Sequence, residues 1–138
     1  MSNIHTVSIH WLKDLVFTSP FLEKGSYLDG ETKVEDSIGM SPKKMLLVSL
    51  LGCTGIDVIG LMRKMRVQFT DFTLEVTAEL NDKHPIVYTS MHIVYKVNAP
   101  EEDLDKINKA VNLSKTRYCG VSAMLQKNNT ITYSIELI

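Results

Sequence analysis

Between Lys44 and Arg63 the only charged side chain is Asp57, and the apolar residues Met45, Leu46, Leu47, Val48, Leu50, Leu51, Ile56, Val58, Ile59, Leu61 and Met62 point to every side of a helical wheel. A helix with no polar face is expected to be buried all round. Ser41 is a favourable N-cap, and Pro42 follows where a missing N–H costs nothing, so the pair marks the helix start. If it runs unbroken to Arg66 it is roughly 37 Å long at about 1.5 Å per residue. A helix of that length and apolarity in so short a chain points to a partner subunit.

The flanking segments alternate with the period of half-buried strands. Val7, Ile9 and Trp11 oppose Thr6, Ser8 and His10; Leu15 to Thr18 and Gly25 to Leu28 are shorter strand candidates, with Ser19-Pro20 as a break and Asp29-Gly30 as a hairpin turn. Glu31 to Met40 is polar and reads as a loop. After the long helix, Phe72, Leu74, Val76, Ala78 and Leu80 share one face of a strand. Asn81 to Pro85 is a turn by composition, and Val87, Thr89, Met91, Ile93, Tyr95 and Val97 share one face of the next strand, completing an antiparallel hairpin. Pro100 followed by three acidic residues starts a second helix, Lys115 and Arg117 sit near its negative end, and Gly120 is its expected stop. Leu104, Ile107, Val111 and Ser114 form its inner stripe. Ser122 to Lys127 adds a further helical turn, and Ile131, Tyr133, Ile135 and Leu137 alternate in a final strand. This order predicts an α+β fold with mainly antiparallel pairing.

Composition narrows the class. With 138 residues, 44% of them hydrophobic, and no repeat or linker, residues 1–138 are expected to form a single domain. The 15 basic and 16 acidic residues are intermixed for a net charge of −1, leaving no stripe that would hold nucleic acid or an anionic membrane. The first residues lack the basic and apolar pattern of a secretory signal, and no apolar run approaches the length of a membrane span. A cytoplasmic protein with no membrane partner is the expectation, and its two cysteines are then expected to be reduced thiols.

Candidate chemistry centres on Cys53. It lies mid-helix among Gly52, Gly55 and Gly60, and because each interior glycine costs roughly 1 kcal/mol relative to alanine, the cluster implies a kink or a close approach by another element. Two readings stay open: a small buried hydrophobe, as free cysteines commonly are, or a nucleophile beside the opened space. Asp57, one turn on, would oppose a thiolate and reads as structural. Cys119, after Arg117-Tyr118, is the only other cysteine. Lys43 and Lys44 oppose the helix dipole and are either solvated or paired with acids such as Glu35 or Asp36. His5, His10, His84 and His92 lack metal-ligand spacing, so neither a metal site nor a cofactor is expected, and there is no phosphate loop or serine elbow.

Ser41-Pro42, Met45-Leu46-Leu47, Leu51-Gly52-Cys53-Thr54-Gly55-Ile56-Asp57-Val58, His84-Pro85 and Tyr118-Cys119-Gly120-Val121-Ser122-Ala123-Met124-Leu125 together resemble the OsmC/Ohr family. The likeness covers nearly all the chain from Asp29 onward. It implies an intertwined α+β homodimer with antiparallel sheets wrapped around two long helices. It also implies thiol peroxidase activity on organic hydroperoxides, with Cys53 as the peroxidatic thiolate, Cys119 as the resolving thiol and an external dithiol as reductant. The family's catalytic glutamate after the helix-starting proline is replaced here by Lys43 and Lys44, and its N-terminal arginine has no counterpart, since the arginines are Arg63, Arg66 and Arg117. Lys44 and Lys24 are the substitute cations considered. The alternative is a non-catalytic OsmC-like binding protein with a thiol-lined apolar pocket at the dimer interface.

Overall fold

The computed structural model describes residues 4–14, 16–18 and 42–138. Their order is strand β1 (Ile4–Lys13), strand β2 (Val16–Thr18), helix α1 (Pro42–Lys64), strand β3 (Asp71–Leu80), strand β4 (Tyr88–Asn98), helix α2 (Leu104–Leu113), helix α3 (Gly120–Leu125) and strand β5 (Thr130–Leu137). The expected Gly25 to Leu28 strand, the Asp29-Gly30 turn, the Glu31 to Met40 loop and the Ser41 cap lie outside the described residues.

The strands form one sheet in the order β2-β1-β3-β4-β5. β1 pairs antiparallel with β3, placing Val7 opposite Val76 and Ile9 opposite Leu74. The β3–β4 hairpin is antiparallel as expected, with Val76 opposite Ile93, while β5 returns parallel to β4. A register shift between Glu79 and Leu80 corrects one detail of the strand reading. Val87 and Thr89 do not share the inner face; the irregularity turns Tyr88 inward and leaves Thr89 exposed. One extra residue in a pleat of period two inverts every position beyond it.

One sheet face carries Phe72, Leu74, Val76 and Ala78 beside Met91, Ile93, Tyr95 and Val97, all buried. α1 packs over β1 and β3 and against α2 and α3, burying Leu47, Leu50, Leu51, Val58, Ile59 and Met62. Side chains of this size each stabilise by about 1.5–3 kcal/mol when fully buried. α2 adds Ile107, Ala110 and Val111 from its amphipathic stripe.

The structure narrows the expectations about α1. It is unbroken, so its glycines mark no kink: an added Cβ at Gly52 or Gly60 meets nothing within 4 Å, and at Gly55 it meets the ring of Phe17 at 2.9 Å. Within one chain it is not buried all round, since Leu46 is 47% exposed and Ile56 42% exposed, and these are faces left for the expected partner subunit. By length and composition it would also suffice to cross a membrane, because Ser49, Thr54 and Asp57 interrupt its apolar runs without making it polar. Its inner face is nevertheless taken up by the core. The helix closes with Arg66 in the left-handed conformation at φ 61°, while the Val67 amide donates to the Met62 carbonyl and the Arg66 amide to that of Arg63. These paired bonds satisfy the last carbonyls of the helix and bring Val67 into the core.

Candidate functional site

α2 does not run on to Gly120. Beyond Leu113 the chain widens into a π-helical turn, Ser114–Tyr118, in which the Cys119 amide donates to the Ser114 carbonyl at 2.8 Å. Residues five apart on an α-helix point roughly 140° away from each other. The wider turn lets Ser114 and Cys119 both be buried on the side facing α1. Cys119 itself is extended, at φ −78° and ψ 103°, and its sulfur caps α3 by accepting the Ser122 amide at 3.4 Å. Gly120 therefore begins a helix, because the break falls one residue earlier, where Cys119 takes the capping role.

This junction sets Cys119 against the middle of α1. The sulfurs of Cys53 and Cys119 and a carboxylate oxygen of Asp57 all lie within 4.8 Å of one another. Cys53 and Asp57 are one helical turn apart and partly exposed, whereas Cys119 is buried. Both cysteines are free thiols. Burial pushes the Cys119 thiol above its ordinary range, and its hydrogen-bonded contact with Cys53 acts in the same direction, against the favourable Ser122 bonds. Burial likewise raises the Asp57 carboxyl, partly offset by the bond from Ser114.

Asp57 ends a chain of buried hydroxyls. Ser114 Oγ donates to Asp57 Oδ2 at 3.0 Å, and Thr54 Oγ1 lies 2.8 Å from both Ser114 Oγ and the Tyr95 hydroxyl. An ionised carboxylate only accepts, and each hydroxyl has one hydrogen. With Ser114 committed to Asp57, Thr54 donates to Ser114 and Tyr95 donates to Thr54. Burial raises the Tyr95 phenol well above its usual range, so it keeps the proton that this direction requires. The arrangement holds a carboxylate in a fixed orientation beside two sulfurs, with the more accessible sulfur on α1.

Of the expected cations, the lysines at the start of α1 lie near a strand histidine. Lys43 and Lys44 bear on His5, whose pKa is lowered by burial first and by the two lysine charges after it. Arg63 lies over the Trp11 ring and Arg117 over that of Tyr118. Lys24, Glu35 and Asp36 lie outside the described residues. The histidines are strand or loop residues, as their spacing suggests: the His5 ring bonds Tyr88, His10 pairs with Asp71, and His92 bonds Thr132 and Ser134.

The cysteines are the two candidate site residues taken from the family likeness, and the fold brings them together. The residues it adds are Asp57, Ser114, Thr54 and Tyr95. Their signal in the chain is modest: Ser114 occupies a core position of the α2 stripe, Tyr95 the inner face of β4, and Asp57 is the one charge in an apolar helix. Hydroxyls at positions reserved for apolar side chains imply partners of their own kind.

The model of the OsmC-like protein family matches residues 34–134. The chain belongs to the OsmC-like family. It is 32% identical over 98 residues to protein YhfA of Escherichia coli strain K12, across 71% of this chain and 73% of the relative. Its fold resembles that of an OsmC-like protein from Mycoplasma pneumoniae at a TM-score of 0.69 and 16% identity, over 98% of this chain and 95% of the other. It also resembles an organic hydroperoxide resistance protein OsmC from Legionella pneumophila at a TM-score of 0.56 and 9% identity, over 74% and 73%. These OsmC-like structures share the mixed α+β architecture, with helices packed on a sheet.

Proposed function

We propose that this OsmC-like protein reduces organic hydroperoxides with Cys53 and Cys119. The observation that carries the reading is that two cysteines far apart in the chain meet within 4.8 Å, one partly exposed and one buried. The Cys53 thiolate attacks the outer peroxide oxygen; a sulfur–oxygen bond forms, the oxygen–oxygen bond breaks, and the departing alkoxide takes a proton to leave as an alcohol. The Cys119 sulfur then attacks the Cys53 sulfenic acid, forming a disulfide and releasing water. An external dithiol returns both cysteines to thiols by exchange, itself becoming a disulfide. The hydroperoxide resistance named for the Legionella relative is consistent with this chemistry.

The working form in this reading is a homodimer in a reducing, cytoplasmic compartment. Its support is the outward face of α1, where Met45, Leu46 and Ile56 are exposed. Large apolar side chains left exposed on a long helix fit a face that meets a partner.

The test is hydroperoxide consumption by purified protein supplied with a dithiol reductant. Cys53→Ser is expected to abolish turnover, and Cys119→Ser to allow a single turnover that stops at the sulfenic acid. Wild-type protein inert toward a panel of alkyl hydroperoxides would sink the reading. One observation favours a second reading: the charged group beside the thiols, within 4.8 Å, is the Asp57 carboxylate, which disfavours a thiolate. In that reading the cysteines line a pocket that holds a small apolar ligand without turnover. Ligand retention by a protein inert toward hydroperoxides would support it.

A further inference from the structure

We propose that Cys53, Asp57 and Cys119 form a binding site for a thiophilic divalent cation of the zinc class, occupied when both cysteines are reduced. The donor set is two sulfurs and a carboxylate oxygen, drawn from α1 and from the α2–α3 junction, with every pair of atoms within 4.8 Å. Tetrahedral zinc with bonds of about 2.3 Å to sulfur and about 2.0–2.2 Å to oxygen holds its ligand atoms roughly 3.5–3.8 Å apart. The observed separations exceed this by at most about 1.3 Å.

The surroundings are those of a ligand set held in place. Ser114 engages Asp57 Oδ2, and Ser114 is itself fixed by Thr54 and Tyr95, so the carboxylate is oriented through a buried chain of three hydroxyls. Outer partners of this kind set the direction of ligating groups and are commonly worth about 10–100-fold in metal affinity. Cys119 is pinned by its own capping bond, the Ser122 amide donating to its sulfur. Cys53 is partly exposed, which provides an entry path and leaves a fourth coordination position for water or an added ligand.

The chemistry of the donors selects the metal. Two thiolates prefer zinc and similar borderline or soft ions over magnesium or calcium, which need several hard oxygens. Disulfide formation between the same cysteines removes two of the three ligands, so the site binds metal only in its reduced form. The inference stands whether or not Cys53 reduces hydroperoxides, because occupancy is measured without turnover.

The experiment titrates reduced full-length protein with cobalt(II) under anaerobic conditions, with zinc(II) as competitor. One equivalent is expected to bind per chain, with an intense near-ultraviolet thiolate-to-cobalt band and the visible absorption of four-coordinate cobalt, both displaced by zinc. Cys53→Ser and Cys119→Ser are each expected to reduce the near-ultraviolet band by about half. Asp57→Asn and Ser114→Ala should weaken binding about 10–100-fold. Wild-type protein oxidised to the Cys53–Cys119 disulfide must fail to bind, a comparison that needs no folded variant. Absence of the thiolate band at stoichiometric cobalt would overturn the proposal. So would equal binding by the reduced and oxidised wild-type proteins, or an undiminished affinity for cobalt in folded Asp57→Asn protein.

Discussion

Ser114 donates to Asp57 at 3.0 Å, from the π-helical turn after α2 to helix α1, and that single bond sets the direction of every hydroxyl behind it. Thr54 must donate to Ser114, and Tyr95 to Thr54. A carboxylate that sequence reading treats as merely structural is thereby tied to the centre of the sheet through β4.

Cutting this chain in the middle is expected to cost more than trimming its end. Ser114→Ala strands the buried Thr54 donor, at about 1–3 kcal/mol, and takes a bond from the partly exposed Asp57 carboxylate. Tyr95→Phe removes a terminal donor and leaves Thr54 still bonded to Ser114, for a cost of about 1 kcal/mol. Urea unfolding of the two variants checks the order. A Tyr95→Phe protein less stable than Ser114→Ala would contradict the direction deduced for the chain.

Gly55 is the glycine of α1 that another side chain closes upon. An alanine there sets its Cβ 2.9 Å from Phe17 Cζ, inside the contact distance of about 3.5–4.0 Å for carbon atoms. Alanine also gains about 1 kcal/mol in helix propensity over glycine. In the wild-type background the clash is expected to outweigh that gain, because the Phe17 ring is held edge-on to Phe72 at 6.2 Å. Combined with Phe17→Leu, Gly55→Ala should turn stabilising by about 1 kcal/mol, the helix gain alone. Chemical denaturation of the four proteins in this double-mutant cycle measures the coupling.

The outward face of α1 gives a prediction about assembly. Ile56 is exposed on the side of the helix away from the sheet, near Cys53. If a second copy covers it, Ile56→Glu places a charge in an apolar contact and dissociates the dimer while leaving the monomer's own core untouched. Sedimentation of wild-type and variant protein at several concentrations reads this directly. An unchanged oligomeric state would remove the α1 face from the interface.

What the chain disclosed, and what it withheld, follows from how far apart the responsible residues lie. The alternation of Phe72 to Leu80 and the apolar run of α1 are local signals, and both elements appear within two residues of their expected ends. The irregularity near Tyr88 and the π turn at Ser114 are each a one-residue change in phase, and no periodicity announces where a phase will slip. The encounter of Cys53 with Cys119 came from family likeness alone, because it depends on how α1 packs against the α2–α3 junction. The structural reading of Asp57 lacked its partner for a related reason. Its distance to Cys53 is local, but its bond to Ser114 is tertiary. The exposure of Leu46 and Ile56 leaves all-round burial of α1 to an assembled state, because apolarity shows what a helix face can pack against and not whether the partner belongs to the same chain.

In β1, within reach of the lysines that start α1, the structure predicts a histidine that controls acid stability. His5 Nδ1 lies 2.9 Å from the Tyr88 hydroxyl, and burial together with the charges of Lys44 and Lys43 lowers its pKa. The unfolded chain then takes up the His5 proton at a higher pH than the folded one. The stabilisation from neutral His5 is therefore complete above the ordinary histidine value of about 6.5 and is lost as pH falls toward the lowered native value. Lys44→Met removes one of the repelling charges, so the His5 ring should titrate at higher pH than in wild type, though still below the ordinary value because burial persists. The acid-side fall in melting temperature should shrink with it, and His5→Gln should remove that component altogether. Ring-proton NMR titration of His5, paired with melting curves from about pH 7 down to about pH 5, tests both halves. A His5 pKa unmoved by Lys44→Met would show that the lysine's charge does not reach the ring.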